Sequence, residues 1–142
     1  MSIEIIGLDE TLAAVKAELE RRARIAKSAV RLAGNEYKND VKKIAPHDIG
    51  TYRRSIHVGK VETESNGSPY VLVGIDLPQA KRLEFGFFDM TDRLGRHFYQ
   101  RAQPHFRPAL DLNKAKYRAI MKGEFDRNVS YENYTSMMPG VY

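Results

Sequence analysis

Residues 45–56 read Ala45-Pro46-His47-Asp48-Ile49-Gly50-Thr51-Tyr52-Arg53-Arg54-Ser55-Ile56, and they separate two kinds of sequence pattern. Before them, apolar residues recur every three or four positions, which is helical spacing. Pro46 disfavours helical geometry at the residue before it, so one long helix is predicted over residues 9–45. After a turn that uses Gly50 for unusual backbone angles, residues 52–61 alternate and predict a strand.

The long predicted helix has signals at both ends. Asp9 can cap the N-terminus, while Lys42 and Lys43 suit the negative end of the helix dipole. Gly34 is the weak point, because glycine costs about 1 kcal/mol relative to alanine inside a helix. A helix of this length would span about 55 Å, more than a small domain needs. Part of it is therefore predicted to pack on a neighbouring subunit.

The rest of the chain alternates between strands and polar turns. Asn66-Gly67 is a strong hairpin signal, and residues 70–75 form its predicted second strand. Residues 81–88 are predicted to begin as a helical turn and end as a strand, followed by a loop and a short strand at 98–102. A second helix is predicted from Pro108, a favoured first helical residue, to about Arg127.

These elements predict an α+β fold, in which a long N-terminal helix and a shorter C-terminal helix pack on a small antiparallel sheet. At 142 residues, a single domain is expected. We place that domain at residues 1–127. Residues 128–142 are polar and tyrosine-bearing, and are predicted to form an extended C-terminal tail.

Composition excludes several classes of function. The chain has no cysteine, which excludes disulfides, thiolate metal sites and thiol catalysis. No apolar run approaches the roughly 20 residues that span a bilayer, and residues 1–9 do not resemble a signal peptide. The four histidines form no zinc-binding motif, and there is no P-loop or nucleophile elbow. We therefore predict no enzyme activity, no metal and no cofactor.

The net charge of +5 allows contact with nucleic acid or with an acidic protein surface. The basic residues are spread along the chain rather than gathered in an arm. The candidates for such contacts are Arg21, Arg31, Arg54 and Arg96. The alternative for these residues is an ordinary solvated polar face.

Two further short phrases follow the first in a characteristic order. They are Leu83-Glu84-Phe85-Gly86 and Gln103-Pro104-His105-Phe106-Arg107-Pro108-Ala109-Leu110. Together with the long leading helix, the three phrases resemble those of phage head–tail connector proteins, known as neck or tail-completion proteins. The resemblance covers roughly residues 8–125. The positions that carry it as turns and strand starts are Pro46, Gly50, Arg53, Ser55, Glu84, Gly86, Pro104, Arg107 and Pro108.

The resemblance implies a structural virion protein. Such a protein would be one subunit of a ring, expected to hold six copies, that joins the DNA-filled head of a tailed phage to its tail. Its expected partners are itself, the head-closure or adaptor protein, the tail terminator or tail tube, and passing DNA without sequence preference. It would assemble in the host cytoplasm. The alternatives are a basic DNA-associated structural protein without a ring and, more remotely, a small hydrolase.

Overall fold

The computed structural model describes residues 7–46 and 50–137 and confirms the α+β class. Within those residues the elements follow in the order α1 (Leu8–Ile44), α2 (Gly50–Arg54), β1 (His57–Val58), β2 (Glu62–Thr63), β3 (Pro69–Tyr70), β4 (Val73–Gly74), α3 (Gln79–Phe85), β5 (Phe87–Thr91), β6 (His97–Gln100) and α4 (Phe106–Met137). The strands form three separate antiparallel pairs rather than one sheet.

Helix α1 has the predicted extent but a different N-terminus. Gly7, with φ of 89°, occupies the capping position, and the side chain of Asp9 forms no cap. The Thr11 hydroxyl donates instead to the carbonyl oxygen of Gly7 over 2.8 Å. At the other end, Ala45 has φ −57° and ψ 146°, the extended geometry expected before a proline.

The predicted weak point at Gly34 is a contact site, and α1 continues through it. Gly34 is buried, and a Cβ atom placed on it would lie 2.7 Å from Cγ1 of Val71. The missing side chain therefore lets the loop between β3 and β4 approach the helix closely.

The predicted strand over residues 52–61 is wrong in its first half, because residues 50–54 form α2. In a strand, Tyr52, Arg54 and Ile56 would share one face and Arg54 would be buried with the other two. One helical turn buries Tyr52 and Ile56 together and leaves Arg54 exposed. Gly50 does not have a positive φ, contrary to the prediction. Residues 47–49 of the predicted turn lie outside the described part of the chain.

The predicted hairpin around Asn66-Gly67 is confirmed. Strand β1 pairs antiparallel with β4, and β2 pairs antiparallel with β3 nearer the tip of the hairpin. At its tip, the Asn66 side chain accepts the backbone N–H of Ser68 over 2.9 Å, and Gly67 has φ of 87°. The second hairpin, β5–β6, contains a bulge between Phe87 and Met90, where Asp89 has φ of 56°.

Helix α4 is longer than predicted at both ends. It begins at Phe106, two residues before Pro108, and continues to Met137 instead of ending near Arg127. Residues 128–137 are thus helical rather than extended, and residues 138–142 lie outside the described range. The division into a domain over 1–127 and a tail over 128–142 stays a prediction.

Helices α1 and α4 run antiparallel. Ser28, near the middle of α1, donates a hydrogen bond to Glu124 over 3.0 Å, while Asp40, late in α1, accepts one from the earlier residue Tyr117 over 2.8 Å. The core lies where the late part of α1 meets α2 and the start of α4.

Candidate functional site

The three sequence phrases meet at one buried cluster. Val41, Ala45, Tyr52, Ile56 and Ala109 pack together there, each at most 6% exposed. Four of the five come from the first and third phrases, and Val41 comes from α1. We call these five residues the hub. The burial of the hub shows that residues of the first and third phrases hold the end of α1 against the start of α4.

Arg53 closes the C-terminal end of α1. Its Nε and Nη2 atoms donate to the carbonyl oxygen of Ala45 over 3.2 and 2.8 Å. Nη2 also donates to the carbonyl oxygen of Lys43 over 3.4 Å. The last carbonyl groups of a helix lack partners within it and carry partial negative charge, so a guanidinium is well suited to cap them. Ser55 supports this turn by donating its hydroxyl to the Thr51 carbonyl over 2.7 Å.

Glu84 closes the N-terminal end of α4 from another element, α3. One carboxylate oxygen accepts the backbone N–H groups of His105 and Phe106 over 2.9 and 3.1 Å, and the other accepts that of Arg107 over 3.1 Å. The next residue, Pro108, has no N–H to satisfy. One side chain therefore accounts for all the free donors of the first turn.

These contacts also set the ionisation of Glu84. Burial alone would raise the pKa of the carboxyl group, but the N–H donors of His105, Arg107 and Phe106 outweigh it and lower the pKa below 4.5. The cap is thus charged at neutral pH, where it also suits the positive end of the helix dipole.

His105 is sealed inside this junction. It is 0% exposed, and Tyr52 Oη lies 2.7 Å from its Nε2. Its Nδ1 lies 2.9 Å from the carbonyl oxygen of Gln103 and 3.2 Å from Glu84. Because both neighbours of Nδ1 are acceptors, Nδ1 carries the proton of the neutral ring. The hydroxyl of Tyr52 therefore donates to the unprotonated Nε2. Because no surface of the ring is accessible, His105 connects the phrases rather than contacting a substrate.

Gly86 allows the second phrase to pass close to the third. Its φ is 69°, and a Cβ atom there would lie 2.7 Å from both the backbone nitrogen of Ala102 and the carbonyl oxygen of Gln100. Next to it, the backbone N–H of Gln103 donates a hydrogen bond to the carbonyl oxygen of Leu83 over 2.7 Å. The predicted backbone role of this glycine agrees with that geometry.

A charged cluster ties α1 to α4 beside the hub. Asp40 is buried and accepts hydrogen bonds from Tyr117 over 2.8 Å and from Lys116 over 3.1 Å. Burial alone would raise the pKa of Asp40, but these two donors lower it. Burial and, to a smaller extent, the hydrogen bond to Asp40 raise the pKa of Tyr117. Its hydroxyl therefore stays protonated and donates to the Asp40 carboxylate. Nothing in the sequence pattern marked Asp40, because its partners are about 76 residues away.

The structure does not bring the four predicted basic contacts together. Arg21 pairs with Glu18 over 3.1 Å in α1, and Arg96 pairs with Asp92 over 2.7 Å in the loop after β5. Arg54 is exposed on α2. Arg31 instead lines a basic cleft that the sequence analysis missed, with Arg24, Lys27, Ser28 and Val61 and a volume of about 370 Å³.

The sequence did not predict where two exposed apolar surfaces of the structure lie. The first, the N-terminal stripe, consists of Leu8, Leu12, Val15 and Leu19, which are 50–62% exposed. The second is an apolar groove of about 910 Å³ between β4, α3 and the start of α4. Its apolar lining includes Ile75, Leu77, Ala80, Phe85, Phe106 and Leu110.

Within the described residues, no cluster of histidine and carboxylate groups is placed to hold a metal ion. His57 and His97 are exposed and each lies beside one aspartate, Asp76 and Asp89 respectively. None of the helices in this part of the chain is long and apolar enough to cross a membrane. The candidate functional features of the described residues are thus the hub, the basic cleft and the two apolar surfaces.

Comparison with known protein families gave a match. A family model described as "Bacteriophage HK97-gp10, putative tail-component" matches residues 8–86, more than half of the chain. The match includes α1 and the first two phrases, and the third phrase lies beyond it. No curated protein and no solved structure gave a significant match.

Proposed function

The chain belongs to the HK97-gp10-like family of phage tail components, and from that premise we propose that it is a ring subunit joining the head of a tailed phage to its tail. Membership makes it a structural phage protein of the virion. The ring, its position at the head–tail junction and its neighbours are the parts that we propose.

The N-terminal stripe is the observation that carries this proposal. Four apolar side chains spaced by four, three and four residues lie along one face of α1 and remain at least half exposed. An apolar patch of this kind, on an otherwise charged helix, is typical of a protein contact surface. The later part of that helix face is covered by the hairpin, α4 and the hub of the same chain, so the uncovered part is available to another molecule.

The hub supports a structural role in a second way. Arg53 and Glu84 secure two helix ends by six hydrogen bonds to the backbone. Such contacts hold α1 and α4 at a set angle, which a subunit needs if copies are to repeat around an axis. Closed symmetry is the usual outcome for a soluble assembly of identical chains.

The proposed neighbours follow from the position of the ring. On the head side it would meet a head-closure or adaptor protein, and on the tail side the tail terminator or tail tube. DNA would pass through the opening, so contacts with phosphate would be non-specific and weak. Six copies are expected.

Electron microscopy of the phage particle tests the proposal. A reconstruction should place this chain in a ring on the axis at the head–tail junction. In a phage whose gene for this chain carries a stop codon, filled heads and free tails should accumulate separately. A chain located away from the axis, or normal particles without it, would refute the proposed function.

The basic cleft favours a second candidate, a DNA-associated structural protein without a ring. Arg24, Lys27 and Arg31 surround it, and the neighbouring carboxylate of Glu124 is occupied by Ser28 and Arg127. If this cleft binds phosphate, affinity for duplex should fall steeply with salt, by about 0.9 in log K per contact per decade.

A titration of labelled duplex at two salt concentrations separates the two candidates. A connector should bind with a Kd no tighter than roughly 10⁻⁶ M at physiological salt. Replacing Arg24, Lys27 and Arg31 by alanine should then change binding no more than replacing three exposed cations elsewhere, such as Arg93, Arg118 and Lys122. Nanomolar, sequence-dependent binding that the cleft variant abolishes would favour the second candidate.

A further inference from the structure

We propose that the N-terminal stripe of one subunit lies in the apolar groove of the next, so that each copy contributes two different surfaces to the assembly. This inference rests on the proposed function, because it names the surfaces through which neighbouring subunits of the ring would contact each other.

The two surfaces match in kind. Leu8, Leu12, Val15 and Leu19 present the spacing by which an amphipathic helix inserts into an apolar groove. The groove is open, has a volume of about 910 Å³ and is lined mainly by apolar side chains from α1, β4, α3 and α4. Phe85, at one edge, is 70% exposed and so remains available for contact.

A subunit cannot fill its own groove with its own stripe. Tyr37 of α1 lines the groove, and the stripe ends at Leu19 in the same unbroken helix. At 1.5 Å per residue, the helix holds these two points about 27 Å apart. Only a different molecule can therefore bring a stripe to the groove.

The charges around the two surfaces are complementary. At the start of the stripe, Asp9 and Glu10 precede the first cation, Lys16, while Glu18 at its end is paired with Arg21 and Arg22. Lys81 and Arg107 line the groove, and Glu84, the carboxylate there, is engaged with the N–H groups of α4. Opposite charges around an apolar contact favour the correct pairing and speed association. This identifies a second copy of the chain as the occupant.

The geometry also makes the contact repeat. Since the stripe and the groove are different surfaces, one contact leaves a free groove on one subunit and a free stripe on the other. Such a head-to-tail contact produces a closed ring when the rotation between subunits completes a circle. A contact between two stripes would instead stop at a dimer.

Cysteine cross-linking tests the pairing, because the chain has no cysteine of its own. The double variant Val15→Cys/Ala80→Cys, treated with a short bismaleimide at high protein concentration, should give a ladder of cross-linked oligomers. A mixture of the single variants Val15→Cys and Ala80→Cys should give dimers and no larger species. Each single variant alone should give no dimer.

A matched control uses the opposite face of α1. Ala17 is exposed and lies about half a turn from the stripe, so Ala17→Cys/Ala80→Cys should cross-link at least tenfold less than the stripe variant. Leu12→Asp in the Val15→Cys/Ala80→Cys background should likewise reduce the ladder at least tenfold. Its melting temperature reports whether the subunit is still folded.

Three outcomes would overturn the inference. They are equal cross-linking by the Ala17 control, a dimer from Val15→Cys alone, and a chain that stays monomeric and uncross-linked at millimolar concentration. None of these outcomes contradicts the proposed function if the particle reconstruction still shows a ring, because the subunits of that ring would then contact each other through other surfaces. Absence of this chain from the junction would instead remove the proposed function.

Discussion

The two ends of α1 carry the same sequence pattern and have different surroundings. From Ile25 to Ala45, apolar residues of one face pack on the hairpin, α4 and the hub, and Val41 is fully buried. From Leu8 to Leu19, residues of equal spacing and larger size are about half exposed. A helical period predicts that a face will be covered, but it does not say which chain covers it. The difference therefore separates the part of α1 that stabilises the fold of this chain from the part that is available to another molecule.

The sharpest way to break this comparison is to place a charge in the covered half. Val41→Asp puts a carboxylate among the apolar side chains of the hub, at a position that is 0% exposed. We expect the free energy of unfolding to fall by about 4 kcal/mol or more, because an unpaired charge is costly to bury. Urea denaturation followed by circular dichroism measures this. A variant within 1 kcal/mol of the wild type would show that the hub is not the core.

The helix cap next to the hub should have the second largest effect. Glu84→Gln keeps the size of the side chain but replaces one carboxylate oxygen, an acceptor, by an NH₂ group facing an N–H donor. We expect a loss of about 2–3 kcal/mol, since hydrogen bonds to charged groups are the stronger ones and donors are left without partners. The same denaturation assay applies, with Glu64→Gln on the exposed hairpin loop as the control. Equal stability of the two variants would contradict the capping role.

The same residue predicts a pH dependence. The pKa of Glu84 is lower in the folded chain than its ordinary value of 4.5. Its contribution is therefore fully present above pH 4.5 and is lost as the pH falls through the lower, folded-state pKa. We expect the difference in stability between wild type and Glu84→Gln to shrink as the pH drops below 4.5. A difference that stays constant down to pH 3 would exclude the charged cap.

Two helical glycines give a finer comparison between a covered and an open site. Gly34→Val places a side chain against Val71 and should lower stability by about 1–3 kcal/mol through overpacking. Gly123→Val in α4 meets nothing within 4 Å and should be neutral or slightly stabilising, because glycine is the poorer helix former. Thermal melts of both variants measure the contrast. Similar losses would mean that helix propensity, not packing, governs Gly34.

The smallest expected effect on stability is at the uncovered end of α1. Leu12 is 55% exposed, so Leu12→Asp should change the stability of the subunit by no more than about 0.5 kcal/mol. It should nevertheless remove self-association in sedimentation experiments, in contrast to Ala17→Asp on the opposite face. A large loss of stability would show that the subunit itself covers the stripe.

The fold was predictable where a pattern is local. The extent of α1 follows from its apolar period and from Pro46, and the hairpin follows from Asn66-Gly67. The strand predicted at 52–61 failed because Tyr52 and Ile56 are compatible with both periods, and only burial of the two without Arg54 selects the helix. The end of α4 was misplaced because a polar composition favours an extended tail but does not prevent residues 128–137 from continuing the helix.

The junction itself was predictable only in part. The three phrases pointed to Arg53, Glu84 and Gly86, but the role predicted for these residues was to form turns and strand starts. Their capping roles depend on partners that are 8 to 23 residues away in the chain. Asp40 and the basic cleft gave no local signal, since helix packing alone brings their members together. The DNA or partner contacts predicted at Arg21, Arg31, Arg54 and Arg96 stay predictions.

The position of Glu84 has a consequence for the order of folding. Helix α4 receives its cap from a residue synthesised some 20 positions earlier, so its first turn is completed only when α3 is already in place. Phe106 and Leu110, one wall of the groove, belong to that turn and the next. A nascent chain thus displays its stripe long before its groove exists. If the proposed contact between stripe and groove forms, a chain still being synthesised can accept no neighbour at its groove until α3 and the start of α4 have folded.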